Sequence, residues 1–185
     1  DLSLDQKKVL EISLKMVHAM VDVISSSGWL TPVLLAMELS QMIVQACLVK
    51  ESTLYQLPYF DQDLVEKCKE NGIEGIGDLL EMDDEPREQL LNMSQKQLEE
   101  VAQVCNRIPN FSIKAKLEEN EQEEGAVGQE VTVNITIEGD EDEEEEERNR
   151  LVYAPYYPKE KQEQWWLIIA DERTKKLLSI KRISA

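Results

Sequence analysis

The chain has 185 residues, 42% of them hydrophobic, enough to bury a core and to form one large domain or two to three small ones. Its 38 acids against 20 bases give a net charge of −18, which repels phosphate backbones over about a Debye length and argues against autonomous nucleic-acid binding. No apolar run approaches the roughly 18 to 20 residues of a transmembrane helix, and residues 1–10 carry acids instead of a basic-then-apolar signal pattern.

The start lacks Met and opens within a helical pattern, so a piece of a longer polypeptide is expected. Residues 3–25 read as an amphipathic helix, with Ser3 and Gln6 as a capping box. Leu10, Leu14, Val17, Val21 and Ile24 recur at spacings of three and four and share one face. The run Ser25-Ser26-Ser27-Gly28 stops this helix. Thr31 then caps a second helix, with Pro32 in its first position, running to about Val49. Leu35, Met37, Leu39, Met42, Ile43, Ala46 and Cys47 surround most of its circumference, so it needs cover on several sides.

Leu57-Pro58-Tyr59-Phe60 is a break. Asp61 caps a third helix that ends at Asn71-Gly72, and short helices follow at about 75–81 and 84–91. Ser94 and Gln97 form a second capping box, opening a helix that ends at Arg107, before Pro109. At Pro109 the apolar period changes to two. Phe111, Ile113, Ala115 and Leu117 alternate with polar residues, as do Val131, Val133, Ile135 and Ile137. Trp165 to Ile169 and residues 176–183 complete four strands. The reading is a multi-part α+β chain: the end of a helical bundle (1–60), a helix-loop-helix unit (61–108) and an incomplete immunoglobulin- or fibronectin-type-three-like antiparallel β-sandwich (109–185). About seven strands would complete such a sandwich, so either strands are missing from this sequence or an open edge is left, through which a second copy could pair as a dimer. The loops at 118–130 and 138–150 are unusually acidic, the second with eight consecutive acids from Asp140 to Glu147.

Chemistry-bearing patterns are scarce. Cys47, Cys68 and Cys105 are widely spaced and read as reduced core thiols. His18 is the one histidine, no Cys-x-x-Cys pair occurs, and no G-x-x-x-x-G-K-[ST] phosphate loop is present. Paired carboxylates are expected by chance among 38 acids. The chain is read as non-enzymatic, with no cofactor or metal of its own.

The order of segments resembles the Sec-sixty-three unit that follows the motor domains of Ski-two-like helicases, most closely the carboxy-terminal unit of the twin-cassette spliceosomal type. The residues carrying the resemblance are Ser26-Ser27-Gly28-Trp29-Leu30, Ala36-Met37-Glu38-Leu39-Ser40-Gln41-Met42, Gln56-Leu57-Pro58-Tyr59-Phe60, Cys105-Asn106-Arg107-Ile108-Pro109-Asn110, Ala154-Pro155, Trp165-Trp166 and Leu178-Ser179-Ile180-Lys181-Arg182. The resemblance implies a nuclear parent that uses ATP and magnesium in separate motor domains to unwind paired small nuclear RNAs. It implies for this chain a regulatory, protein-docking role whose partners are splicing factors and the rest of the helicase. Related units occur in a transcription-coactivator and ribosome-rescue helicase and in an endoplasmic-reticulum translocon subunit.

The resemblance also implies that helix 3–25 corresponds to a strand-facing ratchet helix, with Lys8, Lys15 and His18 as candidate nucleic-acid-facing residues beside Glu11 and Asp22. That mixed face is weak for phosphate contact. On the sandwich, adjacent Trp165 and Trp166 must point to opposite faces, so one of them needs cover from the helices or from a partner. Tyr153, Tyr156 and Tyr157 lie just upstream and extend the candidate partner-binding set.

Overall fold

The computed structural model describes residues 2–109, 111–117, 132–139 and 151–184; the acidic run 140–147 and Val131 lie outside them. Its backbone divides into two units, one of residues 1–107 with 149–185 and one of residues 108–148.

In the larger unit, helix α1 (Leu2–Ser26) buries Leu14, Val17 and Val21 along the expected stripe, with Leu10 and Ile24 half-buried. Ser3 lies inside α1, not ahead of it, so the expected box with Gln6 does not open the helix. At the far end, the Ser25 and Ser26 hydroxyls donate to the carbonyls of Asp22 (2.9 Å) and Val23 (2.7 Å), the back-bonding that lets serine end a helix. Gly28 then turns the chain at φ +71°, a left-handed backbone that a side chain resists.

Helix α2 (Leu30–Gln45) begins earlier than the sequence suggested, and Thr31 is not its cap. Trp29 is extended and forms an antiparallel bridge with Lys176. The Leu30 amide donates to the Lys175 carbonyl (3.2 Å), so one orphan donor of the helix is satisfied by a distant backbone group. Pro32 falls within the first turn, where its missing N–H is harmless. The helix also ends earlier, at Ala46 with φ 51°. The apolar pattern runs on, but the Glu51 carboxylate accepts from the Leu48 amide (2.7 Å) and fixes a turn there.

A 3₁₀ turn (Thr53–Gln56) is too short to show as periodicity. Its Ser52 hydroxyl donates to the Glu74 carbonyl (2.5 Å), and Thr53 Oγ1 accepts from the Ile76 amide (3.2 Å), clasping two loops together. Helix α3 (Gln62–Glu70) is capped by Asp61, whose carboxylate accepts from Leu64 N–H at 2.9 Å. Helices α4 (Ile76–Glu81), α5 (Asp84–Leu91) and α6 (Gln95–Cys105) follow, the last opened by the expected Ser94–Gln97 capping box. All three cysteines are buried and free, and burial pushes each thiol pKa upward.

Strands β3 (Gln164–Asp171) and β4 (Lys176–Ser184) form an antiparallel hairpin with Trp166 opposite Arg182 and Ile168 opposite Ile180. An irregularity between Ile169 and Ala170 shifts the register, so Ala170 meets Leu177. Asp171 shapes the turn by accepting from the Arg173 amide (2.9 Å) and the Thr174 hydroxyl (2.7 Å). One face of the hairpin, bearing Trp166, Ile168, Ala170, Leu177 and Ile180, packs on a core of Val21, Leu30, Val33, Ala36 and Met37. The helices therefore cover this face.

The smaller unit contains strands β1 (Phe111–Leu117) and β2 (Val133–Gly139), paired antiparallel with Ile113 opposite Ile137 and Ala115 opposite Ile135. Its apolar side chains Ile113, Leu117 and Ile137 are exposed, and Lys114 pairs with Glu138 at 2.5 Å on the polar side. The described strands thus form two separate two-stranded sheets, and the expected immunoglobulin-like sandwich is not established by them.

Because the turn after α1 needs positive φ, Gly28→Ala is expected to destabilise the chain by about 1 kcal/mol. A lower urea midpoint at unchanged denaturant slope is the expected result; an unchanged midpoint would show that the turn tolerates a side chain.

Candidate partner-binding site

The aromatic candidates are divided among four environments. Trp166 points into the helix-facing side of the hairpin, where its ring meets His18 edge-on at a centroid distance of 5.2 Å. Its indole N–H is buried without a hydrogen-bond partner among the described residues, and apolar packing must outweigh that loss. Trp165 follows on the opposite pleat, half-buried, with its indole N–H donating to Glu163 at 2.6 Å.

The segment before β3 is closed by a Leu151–Gln162 bridge and by the Val152 amide donating to the Lys161 carbonyl (2.8 Å). It places Tyr157, half-buried, near the ion pair of Lys159 with Glu11 of α1 (2.6 Å). Tyr153 and Tyr156 lie elsewhere: burial, then the charges of Tyr156 and of Glu100 of α6, raise the pKa of Tyr153. Tyr156 is 73% exposed and Tyr153 is half-buried.

The polar face of α1 is partly occupied from within the chain. Glu11 holds Lys159, Asp22 holds Arg182 of β4 at 2.6 Å, and His18 sits against Trp166. Lys8 and Lys15 remain exposed. Two of the three candidate nucleic-acid-facing residues thus stay on the surface, while the third is engaged with a candidate partner-binding residue.

The sequence reading missed Tyr59. This exposed residue has φ +69°, uncommon for a bulky side chain, and its hydroxyl donates to the Glu100 carboxylate. It borders an open cleft of about 340 Å³ between α3 and the start of α6, lined also by Asp61, Asp63, Leu64, Asn92 and Gln97. The Pro58-Tyr59 break was visible as a turn, but a contact spanning 41 residues leaves no local signal. Among the described residues, no three His, Cys, Asp or Glu side chains converge as a metal site, and no helix is long and apolar enough to cross a membrane.

Comparison with known proteins places these features in context. The family model described as "Sec63 Brl domain" matches residues 1–185. The chain is 44% identical over 191 residues to the DExH-box ATP-dependent RNA helicase DExH12 of Arabidopsis thaliana. It is 38% identical over 184 residues to the U5 small nuclear ribonucleoprotein 200 kDa helicase of Homo sapiens. It is 40% identical over 190 residues to the activating signal cointegrator 1 complex subunit 3-like protein of Dictyostelium discoideum. Each match covers 100% of this chain but 8% of the relative.

Burial is the leading cause that lowers the His18 pKa from 6.5, helped by the charges of Lys161 and Arg182 and opposed by Asp22. The fold favours neutral imidazole, so its contribution to stability is whole above the unfolded value of 6.5 and is lost as pH falls toward and through the folded value. Between about pH 7.5 and 5.5 the parent chain should lose more urea resistance than His18→Gln, whose carboxylates titrate alike. Equal losses in the two proteins would remove His18 from the acid response.

Proposed function

The chain belongs to the Sec63 Brl domain family, and from that premise we propose that it is a non-catalytic protein-docking and regulatory unit of a spliceosomal ATP-dependent RNA helicase. The observation that carries this reading is the division of surfaces on α1. Internal partners occupy part of its polar face, while Val9, Ile12, Met16, Met20 and Val23 form an exposed apolar stripe. Such a stripe on a long helix fits cover by other protein, here the rest of the helicase polypeptide. The net charge of −18 weighs against RNA binding by the chain as a whole.

In this reading the motor domains of the parent hold ATP and magnesium and unwind paired small nuclear RNAs in the nucleus. The present unit belongs to the carboxy-terminal cassette and presents a surface to splicing factors. The exposed apolar face of β1–β2 suits burial in an immunoglobulin-like sandwich, and an open strand edge would also serve a second copy as a dimer. A second reading, the equivalent unit of a transcription-coactivator helicase, is favoured by the Dictyostelium relative at 40% identity.

Immobilised chain exposed to nuclear extract at about physiological salt tests the choice. Capture of splicing proteins identified by mass spectrometry is expected. Recovery of cointegrator-complex proteins instead would favour the second reading, and recovery of chaperones alone would contradict both.

A further inference from the structure

We propose that the cleft between α3 and α6, with Tyr59, Tyr153 and Tyr156 beside it, is a docking site for an extended, arginine-bearing segment of a partner protein. The proposal deepens the docking reading by assigning its partner a chemistry and a place. Three kinds of group meet here. Asp61 and Asp63 supply carboxylates at the cleft, and at its border Glu100 holds the Tyr59 hydroxyl and pairs with Lys96 at 3.8 Å. Tyr59 and Tyr156 display rings that are 47% and 73% exposed. Asn92 and Gln97 add amide groups to the lining.

The neighbours run in sequence across the surface. Asp61 and Asp63 share the cleft with Tyr59, Tyr59 bonds Glu100, and Tyr153 feels the charges of both Tyr156 and Glu100. Acids and rings therefore adjoin at this surface, which suits a segment that carries both flat and positively charged groups. A guanidinium answers both groups, since its flat face stacks on tyrosine and its edge forks onto a carboxylate. The lysine lining the cleft, Lys67, does not fill this role, because its ammonium is held by the Leu90 carbonyl.

Two features keep the site open and shaped. The Glu100 bond fixes the Tyr59 ring outward, and the backbone of Tyr59 stands at positive φ to allow it. Asp61 uses one carboxylate oxygen to cap α3. Asp63 is exposed in the first turn of that helix. An amphipathic helix would find only Leu64, Leu91 and Met93 as apolar lining among acids and amides, and a nucleic acid would meet the wrong charge.

The test is fluorescence anisotropy of a labelled peptide of about six Arg-Pro repeats, which holds an extended backbone, titrated with the whole chain at about 0.15 M salt. Matching Lys-Pro and Glu-Pro peptides serve as comparisons. The Arg-Pro peptide should bind more tightly than Lys-Pro, and Glu-Pro should not bind. Tyr156→Ala and Asp63→Asn should each weaken binding by about two- to fivefold. Glu172→Gln, which removes an exposed acid on the β3–β4 turn, should leave binding unchanged.

Equal weakening by Glu172→Gln would overturn the site, because binding would then follow net charge alone; no weakening by Tyr156→Ala and Asp63→Asn would overturn it too, because the peptide would then bind elsewhere. The capture experiment separates this from the docking reading. Splicing proteins retained by a Tyr156→Ala, Asp63→Asn double variant would leave the unit a docking module and remove the cleft from that role. Failure of the native chain to capture them, with site-specific peptide binding intact, would leave the cleft and remove the splicing assignment.

Discussion

The larger unit depends on a short antiparallel tie between the α1–α2 turn and the start of β4. The Gly28 carbonyl accepts from the Leu177 amide at 2.8 Å, the Lys175 carbonyl accepts from the Leu30 amide at 3.2 Å, and Trp29 bridges Lys176 between them. These backbone bonds contribute about 0.5–1.5 kcal/mol each. Burying Leu177, which they aim into the helical core, is worth about 1.5–3 kcal/mol. The hydrogen bonds therefore set the register, and apolar burial supplies the larger stabilisation. Positive φ at Gly28 lets the chain reverse there.

The placement of the candidate residues follows from that register. With Leu177 seated, the alternation of β3 brings Trp166 to the helical side and Trp165 to the other. Trp166 then reaches His18, and Arg182 across from it reaches Asp22. The hairpin thus covers part of the α1 face that the family resemblance assigns to a nucleic-acid strand. The exposed aromatic residues include Trp29, Tyr59 and Tyr156, and Tyr59 bonds the Glu100 carboxylate. An acidic, aromatic surface favours protein partners that carry positive charge.

Local chemistry was legible in the sequence. Asp61 and Ser94 announced their helices because a cap acts over three residues. The stripe Leu14, Val17 and Val21 announced the buried face of α1 because helical period is local too. The start of α2 was not legible, since the group that satisfies its Leu30 amide is the carbonyl of Lys175. The opposed directions of Trp165 and Trp166 could be read from alternation, but not that helices would cover one of them. Tyr59 with Glu100 was invisible for the same reason, a pairing made only when distant segments meet.

Native-state hydrogen exchange at the Leu177 and Leu30 amides tests the central claim most directly. If the tie fastens the hairpin to the helices, both amides will exchange only with the global unfolding that releases the Val21 and Val33 core. Exchange at the rate of exposed turns, while the α1 and α2 amides stay protected, would show that the hairpin opens independently and contradict the account.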